Sequence, residues 1–201
     1  MNDYIPGLIY DWLCAGYRVL WTHDMNELRT ADFCFYLGCG QIVPPAVLAR
    51  FRNNPVVHAS DLPQGKGWSP LTWQILEGKN RIPVTLFEAV KKIDSGVIYA
   101  QEWLEFEGHE LLDELRAKLA YTTLSLCRQF ITDYPGILAR ARRQEGEENF
   151  YPRRKPADSR LDPMRSLAEQ FQLLRVVDNV NYPAFFEWKG NRYTLAVRKD
   201  S

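Results

Sequence analysis

The sequence lacks net charge, a long apolar run and a signal peptide, and each absence excludes a class of protein. Its 25 Lys and Arg residues balance 25 Asp and Glu residues, so no global field steers the chain to nucleic acid or to an anionic membrane. It has no run of about 18 apolar residues, so we expect no membrane span. The N-terminus lacks the basic and apolar regions of a secretory leader. We therefore expect a soluble cytoplasmic protein.

Cysteine is also scarce. Cys14, Cys34, Cys39 and Cys127 form no CxxC pair, and three of them lie in apolar stretches. This pattern predicts reduced, buried thiols rather than disulfides. No cluster of His and Cys has the spacing of a metal site, so we expect no metal.

Short apolar runs alternate with helical periodicities through about residue 135. Strands are predicted at 17–21, 32–38, 55–58, 82–90 and 97–106, and helices near 5–13, 43–51, 69–79 and 109–134. This alternation predicts an α/β domain over residues 1–135, with a Rossmann-like, mainly parallel sheet and helices on both faces.

Residues 136–201 have a different composition. The charged stretch 139–162 is typical of an exposed connector. A helix is predicted over 163–179, with Leu167 and Leu174 on its apolar stripe, and a β-hairpin over 184–197. Because this apolar and aromatic surface must be buried from water, we expect the segment to dock on the α/β domain or on a second subunit.

His58 and Asp94 are candidates for acid–base chemistry. His58 ends one predicted strand and Asp94 follows another. In α/β sheets, sites gather at the carboxyl ends of strands, where a histidine base and an orienting carboxylate can meet. Spacing alone leaves the alternative that His58 caps a strand and Asp94 belongs to a turn.

The segment "VVHASDLPQGKGWSPLTWQILEGKNRIPVTLFEAVKKIDSGVIYAQ", residues 56–101, resembles the core of the formyltetrahydrofolate-dependent formyltransferases. The match includes His58, a Ser-Asp-Leu-Pro loop, a helix that opens with proline, Val-Thr, and Asp-Ser-Gly at 94–96. The C-terminal part, from "FYPRRKPADSRLD" to the hairpin, is similar to the sugar-nucleotide N-formyltransferases within that family.

The resemblance implies acyl transfer from N10-formyltetrahydrofolate to an amine, with His58 moving a proton and Asp94 orienting it. It also implies a cis Leu62-Pro63 bond. The implied pterin-binding residues are Cys39, Gly40, Gln41, Ile42, Ile93, Ser95 and Gly96. The implied acceptor-binding residues are Ser60, Lys66, Gly67, Trp68, Arg153 and Arg154, although the two arginines also suit a solvated connector.

The expected acceptor is a small-molecule amine, a nucleotide sugar, without nucleic acid or membrane as a partner. The alternatives are another amine such as an amino acid derivative, a folate deformylase, or a non-catalytic folate-binding relative. Residues 136–201 would complete the acceptor site or form a homodimer.

The sequence departs from the family at two points. Val56 stands where the family has an asparagine two residues before the histidine. Asn54 lies four residues before His58, too far back along a straight strand to replace it, so a backbone N–H is an alternative oxyanion donor. In addition, family members begin with a strand, whereas this chain begins with a predicted helix, so either the start codon is misplaced or the sheet is rearranged.

Overall fold

The computed structural model describes residues 1–200 and shows an α/β fold with a C-terminal hairpin. The helices are α1 Ile5–Cys14, α2 Pro45–Leu48, α3 Pro70–Leu76, α4 Leu112–Asp133, α5 Gly136–Ala139 and α6 Phe171–Val176. The strands are β1 Ala31–Phe33, β2 Phe51–Asn53, β3 Pro55–His58, β4 Lys66–Gly67, β5 Arg81–Glu88, β6 Ile98–Glu105, β7 Phe150–Tyr151, β8 Ala184–Trp188 and β9 Asn191–Leu195. The predicted α/β class is confirmed.

The strand pairing is mixed. β1 runs parallel to β2, and a parallel bridge from Tyr36 to Val56 extends this pairing to β3. β3, β5 and β6 pair antiparallel in that order. The link between β5 and β6 is shorter than the dozen or so residues that a parallel crossover requires, so these two strands pair as a hairpin.

The core lies between α4 and the β5–β6 hairpin. α4 buries Leu115, Leu126 and Phe130 against the inward side chains of β5. The Phe130 ring meets Phe33 edge-on, with ring centroids 5.5 Å apart. At the start of α4, the Glu114 carboxylate accepts the Leu111 N–H, which caps an otherwise free donor. This packing fixes β3 and β5, which carry the candidate site.

Two predicted elements are wrong. Residues 17–21 form no strand, because no neighbouring strand pairs with them among residues 1–200, and Leu20 remains exposed. The predicted helix 163–179 is helical only over α6. Gln170 Nε2 donates to the backbone carbonyls of Asp162, Arg165 and Ser166, so this stretch forms turns instead. Leu167, predicted on the buried stripe, is 62% exposed.

The stretch 139–162, predicted to be an exposed connector, is tied to the domain. Its β7 pairs parallel with β4, and Arg142 forms an antiparallel bridge with Ile98. Sequence reasoning missed these contacts because a polar segment held by its backbone carries no hydrophobic periodicity.

The C-terminal hairpin forms as predicted, and α6 docks on the α/β domain. Lys189 and Gly190 both have positive φ, at 48° and 80°, as a two-residue type I′ turn requires. Arg175 of α6 is fully buried, and its guanidinium donates to the Glu110 carboxylate at 3.1 Å and to Asn80 Oδ1 at 2.8 Å. The hairpin still leaves Trp188 and Tyr193 exposed.

All four cysteines are free, as predicted, but only Cys127 is buried; the other three are partly or fully exposed. Burial raises the pKa of the Cys127 thiol to about 12. Among residues 1–200, no helix combines the length and the apolar character that crossing a bilayer demands.

Candidate active site

His58 ends β3 and points into the loop that follows it. Its Nε2 lies 2.9 Å from the Gly65 carbonyl oxygen, and its side chain is 11% exposed. A carbonyl only accepts hydrogen bonds, so Nε2 carries the proton in this contact. In the neutral ring, Nδ1 therefore keeps the lone pair that can accept a proton.

Asp94 meets His58 from the loop after β5. Asp94 Oδ2 lies 3.9 Å from His58 Nε2, too far for a hydrogen bond but within range of an ion pair. The same oxygen accepts the Gly67 N–H at 2.9 Å. The structure thus brings together the two residues that were predicted to act together.

The loop between His58 and α3 is closely packed. The Leu62-Pro63 bond is cis, as the resemblance implied. Ser60 is 1% exposed, and Lys66 is 2% exposed with its ammonium on Ser95 Oγ at 2.8 Å and on Glu148 at 2.7 Å. Lys66 and Lys92 together lower the pKa of the Glu148 carboxyl. Ser60 and Lys66, predicted to bind the acceptor, are therefore enclosed by protein.

A cleft of about 370 Å³ opens beside the Asp94 loop. It is lined by Glu88, Val90, Ser95, Gly96, Val97, Arg143 and Gln144. Two of the predicted pterin-binding residues, Ser95 and Gly96, thus face a cavity, whereas Ile93 is exposed at the loop tip.

The floor of this cleft depends on Gly96. A Cβ on Gly96 would lie 1.8 Å from the Glu88 carbonyl oxygen, which is fixed within the sheet. We expect Gly96→Ala to lower the free energy of unfolding by at least about 2 kcal/mol, measured by urea denaturation. Gly7→Ala is the control, because Gly7 lies in helix α1 and no atom beyond its chain neighbours and the backbone of that helix lies within 4 Å of a Cβ added there. Equal stability of the two variants would contradict this close packing.

Of the remaining predicted residues, Gly40 and Arg153 lie beside Trp68. The Arg153 guanidinium stacks over the Trp68 ring, 4.9 Å from its centroid, and a Cβ on Gly40 would lie 3.8 Å from the same ring. Cys39, Gln41 and Ile42 are exposed in the loop around Gly40. Arg154 turns inward instead, donating to the carbonyls of Val176 and Asp158. Of the two arginines, Arg153 is the one at the surface.

The position of the family asparagine offers no donor. The Val56 side chain packs against Leu62, Phe87 and Ile98. Asn54 is buried, with its amide engaged by the Tyr36 hydroxyl at 3.1 Å and the Leu48 carbonyl at 3.2 Å. Asn54 therefore braces the strands and does not replace the family residue.

Sequence reasoning missed the part of the site that comes from residues 144–151. Gln144 Nε2 donates to the carbonyls of Asp94 and Gly96, and Asn149 Oδ1 accepts the Gly65 N–H. Tyr151 O accepts the Trp68 N–H at 3.1 Å. These bonds hold both loops of the site. The sequence did not predict them, because a stretch of charged and amide residues has no hydrophobic periodicity.

Comparisons with known proteins identify the family and the fold. The formyl transferase family model matches residues 22–127. A 4-N formyltransferase from Francisella tularensis is similar in fold, with a TM-score of 0.70 and 21% identity over 89% of this chain and 77% of its own.

Two further solved structures have the same fold. A methionyl-tRNA formyltransferase from Clostridium thermocellum has a TM-score of 0.69 and 24% identity over 80% of this chain and 69% of its own. A sugar N-formyltransferase from a Shewanella species has a TM-score of 0.66 and 17% identity over 85% and 70%. Because the family model spans more than half of the chain, the protein belongs to the formyl transferase family and is a formyltransferase enzyme.

Proposed function

We propose that the protein moves a formyl group from N10-formyltetrahydrofolate to the amine of an amino-sugar nucleotide, with His58 and Asp94 as its catalytic residues. The observation that carries this proposal is the approach of Asp94 Oδ2 to within 3.9 Å of His58 Nε2 at the end of β3. Both residues lie inside the segment that matches the family model.

His58 acts as the proton acceptor for the attacking amine. With Nε2 donating to the Gly65 carbonyl, Nδ1 is the nitrogen that takes the proton. The Asp94 carboxylate attracts the resulting imidazolium from 3.9 Å, and the low exposure of both side chains strengthens that attraction. Asp94 is itself held by the Gly67 N–H, so the charge is fixed in place.

The cleft beside Ser95 and Gly96 fits a folate. Val90 and Val97 provide apolar walls for a flat ring, and the Gly96 backbone allows close approach. Arg143 lies on the rim and would face the carboxylates of the folate's glutamate tail. When bound, the folate supplies an electrophilic formyl carbon.

The exposed pair of Trp68 and Arg153 suits a nucleotide sugar. The Trp68 ring is 39% exposed and can stack on a base, while Arg153 offers a cation to a diphosphate. The zero net charge of the chain does not favour tRNA as an acceptor. The sugar N-formyltransferase with the same fold supports a sugar amine.

The test is an assay of the purified chain with N10-formyltetrahydrofolate and a panel of amines, with formylated products identified by mass spectrometry. Formylated product from amino-sugar nucleotides and from no other amine in the panel would support the proposal. Product only with amino acid derivatives would indicate another acceptor. Release of formate without any amine would indicate a deformylase, and folate binding without turnover a non-catalytic relative.

We expect Trp68→Ala and Arg153→Ala each to raise the acceptor KM about 10-fold or more, because each removes a contact made equally in the ground and transition states, with little change in kcat. The matched control is the second exposed tryptophan–arginine pair, in which Arg81 stacks 4.1 Å from the Trp103 centroid on the sheet. If Arg81→Ala changes the acceptor KM as much as Arg153→Ala does, the assignment of this surface to the acceptor is wrong.

A further inference from the structure

We propose that Gln144 is a positioning residue that holds Asp94 in its working conformation; this inference rests on the role proposed above for Asp94. Gln144 Nε2 donates to the carbonyl oxygen of Asp94 and to that of Gly96, each at 2.9 Å. The side chain reaches this loop from a segment 50 residues further along the chain. One amide therefore ties down both ends of residues 94–96.

The Asp94 backbone needs such support. Its φ is +47°, in the left-handed region that non-glycine residues seldom adopt. A residue in this conformation persists only where its surroundings fix it. Besides Gln144, this loop is held by the Gly67 N–H on the Asp94 carboxylate, by the Lys66 ammonium on Ser95 Oγ, and by the Ser95 hydroxyl on the Ile93 carbonyl.

The orientation of the Gln144 amide follows from its partners. Both partners are carbonyls, which only accept, so the NH₂ group must face them. Gln144 Oε1 is then buried without a hydrogen-bond partner in residues 1–200. An unpaired buried acceptor is unfavourable, so the amide contributes through its two donors alone.

The same segment also supports His58. Asn149 Oδ1 accepts the Gly65 N–H, and the Asn149 carbonyl accepts the Lys66 N–H at 3.1 Å. The Gly65 carbonyl in turn accepts from His58 Nε2. Residues 144–151 thus hold both catalytic side chains through backbone groups, Gln144 for Asp94 and Asn149 for His58.

The test compares Gln144→Leu and Gln144→Glu with Gln129→Leu, an exposed position on α4, in the full chain. Hydrogen exchange measured by mass spectrometry should show at least about 10-fold faster exchange in residues 91–97 of both Gln144 variants. Gln144 also lines the cleft assigned to the folate, so N10-formyltetrahydrofolate is kept saturating for each variant. With the acceptor found active with the wild type, kcat should then fall about 10- to 100-fold while the acceptor KM changes less than about 2-fold. The control should change neither.

Gln144→Glu adds a signature that loss of structure alone would not give. Ionised, its carboxylate repels the two carbonyls; protonated, it regains one donor. The ratio of its kcat to that of the wild type should therefore rise as the pH falls from about 8 to about 5. The glutamate variant also serves as the test if the leucine variant does not fold.

Two results would overturn the role of Gln144. One is unchanged exchange at residues 91–97 in the folded variants; the other is faster exchange with unchanged kcat. If the wild type formylates no amine, the proposed function fails, and the exchange measurement alone then decides whether Gln144 holds the Asp94 loop.

Discussion

Replacing His58 by alanine should lower kcat for formyl transfer by about 10²- to 10⁴-fold, the range expected for loss of a general base. The ring is only 11% exposed at the end of β3, and its Nε2–H donates to the Gly65 carbonyl, so alanine removes the one nitrogen assigned to take the amine's proton. Product formation with N10-formyltetrahydrofolate and the amino-sugar panel measures the effect. Circular dichroism should show an intact fold.

Asp94→Asn tests the charge of the second proposed catalytic residue. Asparagine tolerates a positive φ and its carbonyl oxygen can still accept the Gly67 N–H, so the loop keeps its shape while the charge is lost. We expect kcat to fall by about 10-fold or more, because the imidazolium loses the carboxylate 3.9 Å away. His23→Ala, at an exposed histidine, is the control. Near-normal turnover in the His58 variant would remove both residues from the mechanism.

Part of the candidate site could be predicted because its signals are local. His58 ends an apolar run and Asp94 opens the Asp-Ser-Gly turn, so both residues stood out in the sequence. Their meeting does not follow from the sheet, because β3 and β5 pair antiparallel and their carboxyl ends point opposite ways. The loop after β5 folds back instead, and the Gly67 N–H holds Asp94 beside His58. The hairpin was equally predictable from its turn at Lys189-Gly190-Asn191, and the structure gives Lys189 and Gly190 the positive φ of a type I′ turn. The cis Leu62-Pro63 bond came from the family resemblance alone.

The contacts that hold the loops could not be predicted. Asn149 and Gln144 act on carbonyls and N–H groups more than 45 residues away in sequence, and such bonds leave no periodic pattern. Ser60 and Lys66 lie deeper in the protein than the sequence suggested. The family resemblance implied that both bind the acceptor, yet the structure encloses both. Burial of a lysine depends on its partners Glu148 and Ser95, which only the fold brings together.

Breaking the buried ion pair of Arg175 and Glu110 should strongly lower the free energy of unfolding. Arg175 is fully buried and Glu110 is 3% exposed, and the pair joins α6 to the loop before α4. Arg175→Met leaves the carboxylate buried with one ammonium, from Lys118 at 3.3 Å, so we expect a loss of about 3–5 kcal/mol in the free energy of unfolding. Urea denaturation measures it. Arg165→Ala, which breaks an exposed pair with Glu169 at 3.8 Å, should cost less than about 1 kcal/mol.

The stability lost in Arg175→Met should depend on pH, and the direction of that dependence can be worked out. Burial opposes ionisation of Glu110, but the N–H groups of Glu107 and Gly108 and the Lys118 ammonium outweigh it and lower the pKa to about 2. A carboxyl whose pKa is lower when folded stabilises the protein above its unfolded value of 4.5, and that stability is lost as the pH falls towards about 2. In Arg175→Met the carboxylate lacks its guanidinium, so protonation relieves part of the cost. The difference from the wild type should therefore shrink below about pH 4.5. A difference that stays constant from pH 7 to pH 3 would show that Arg175 acts through packing alone.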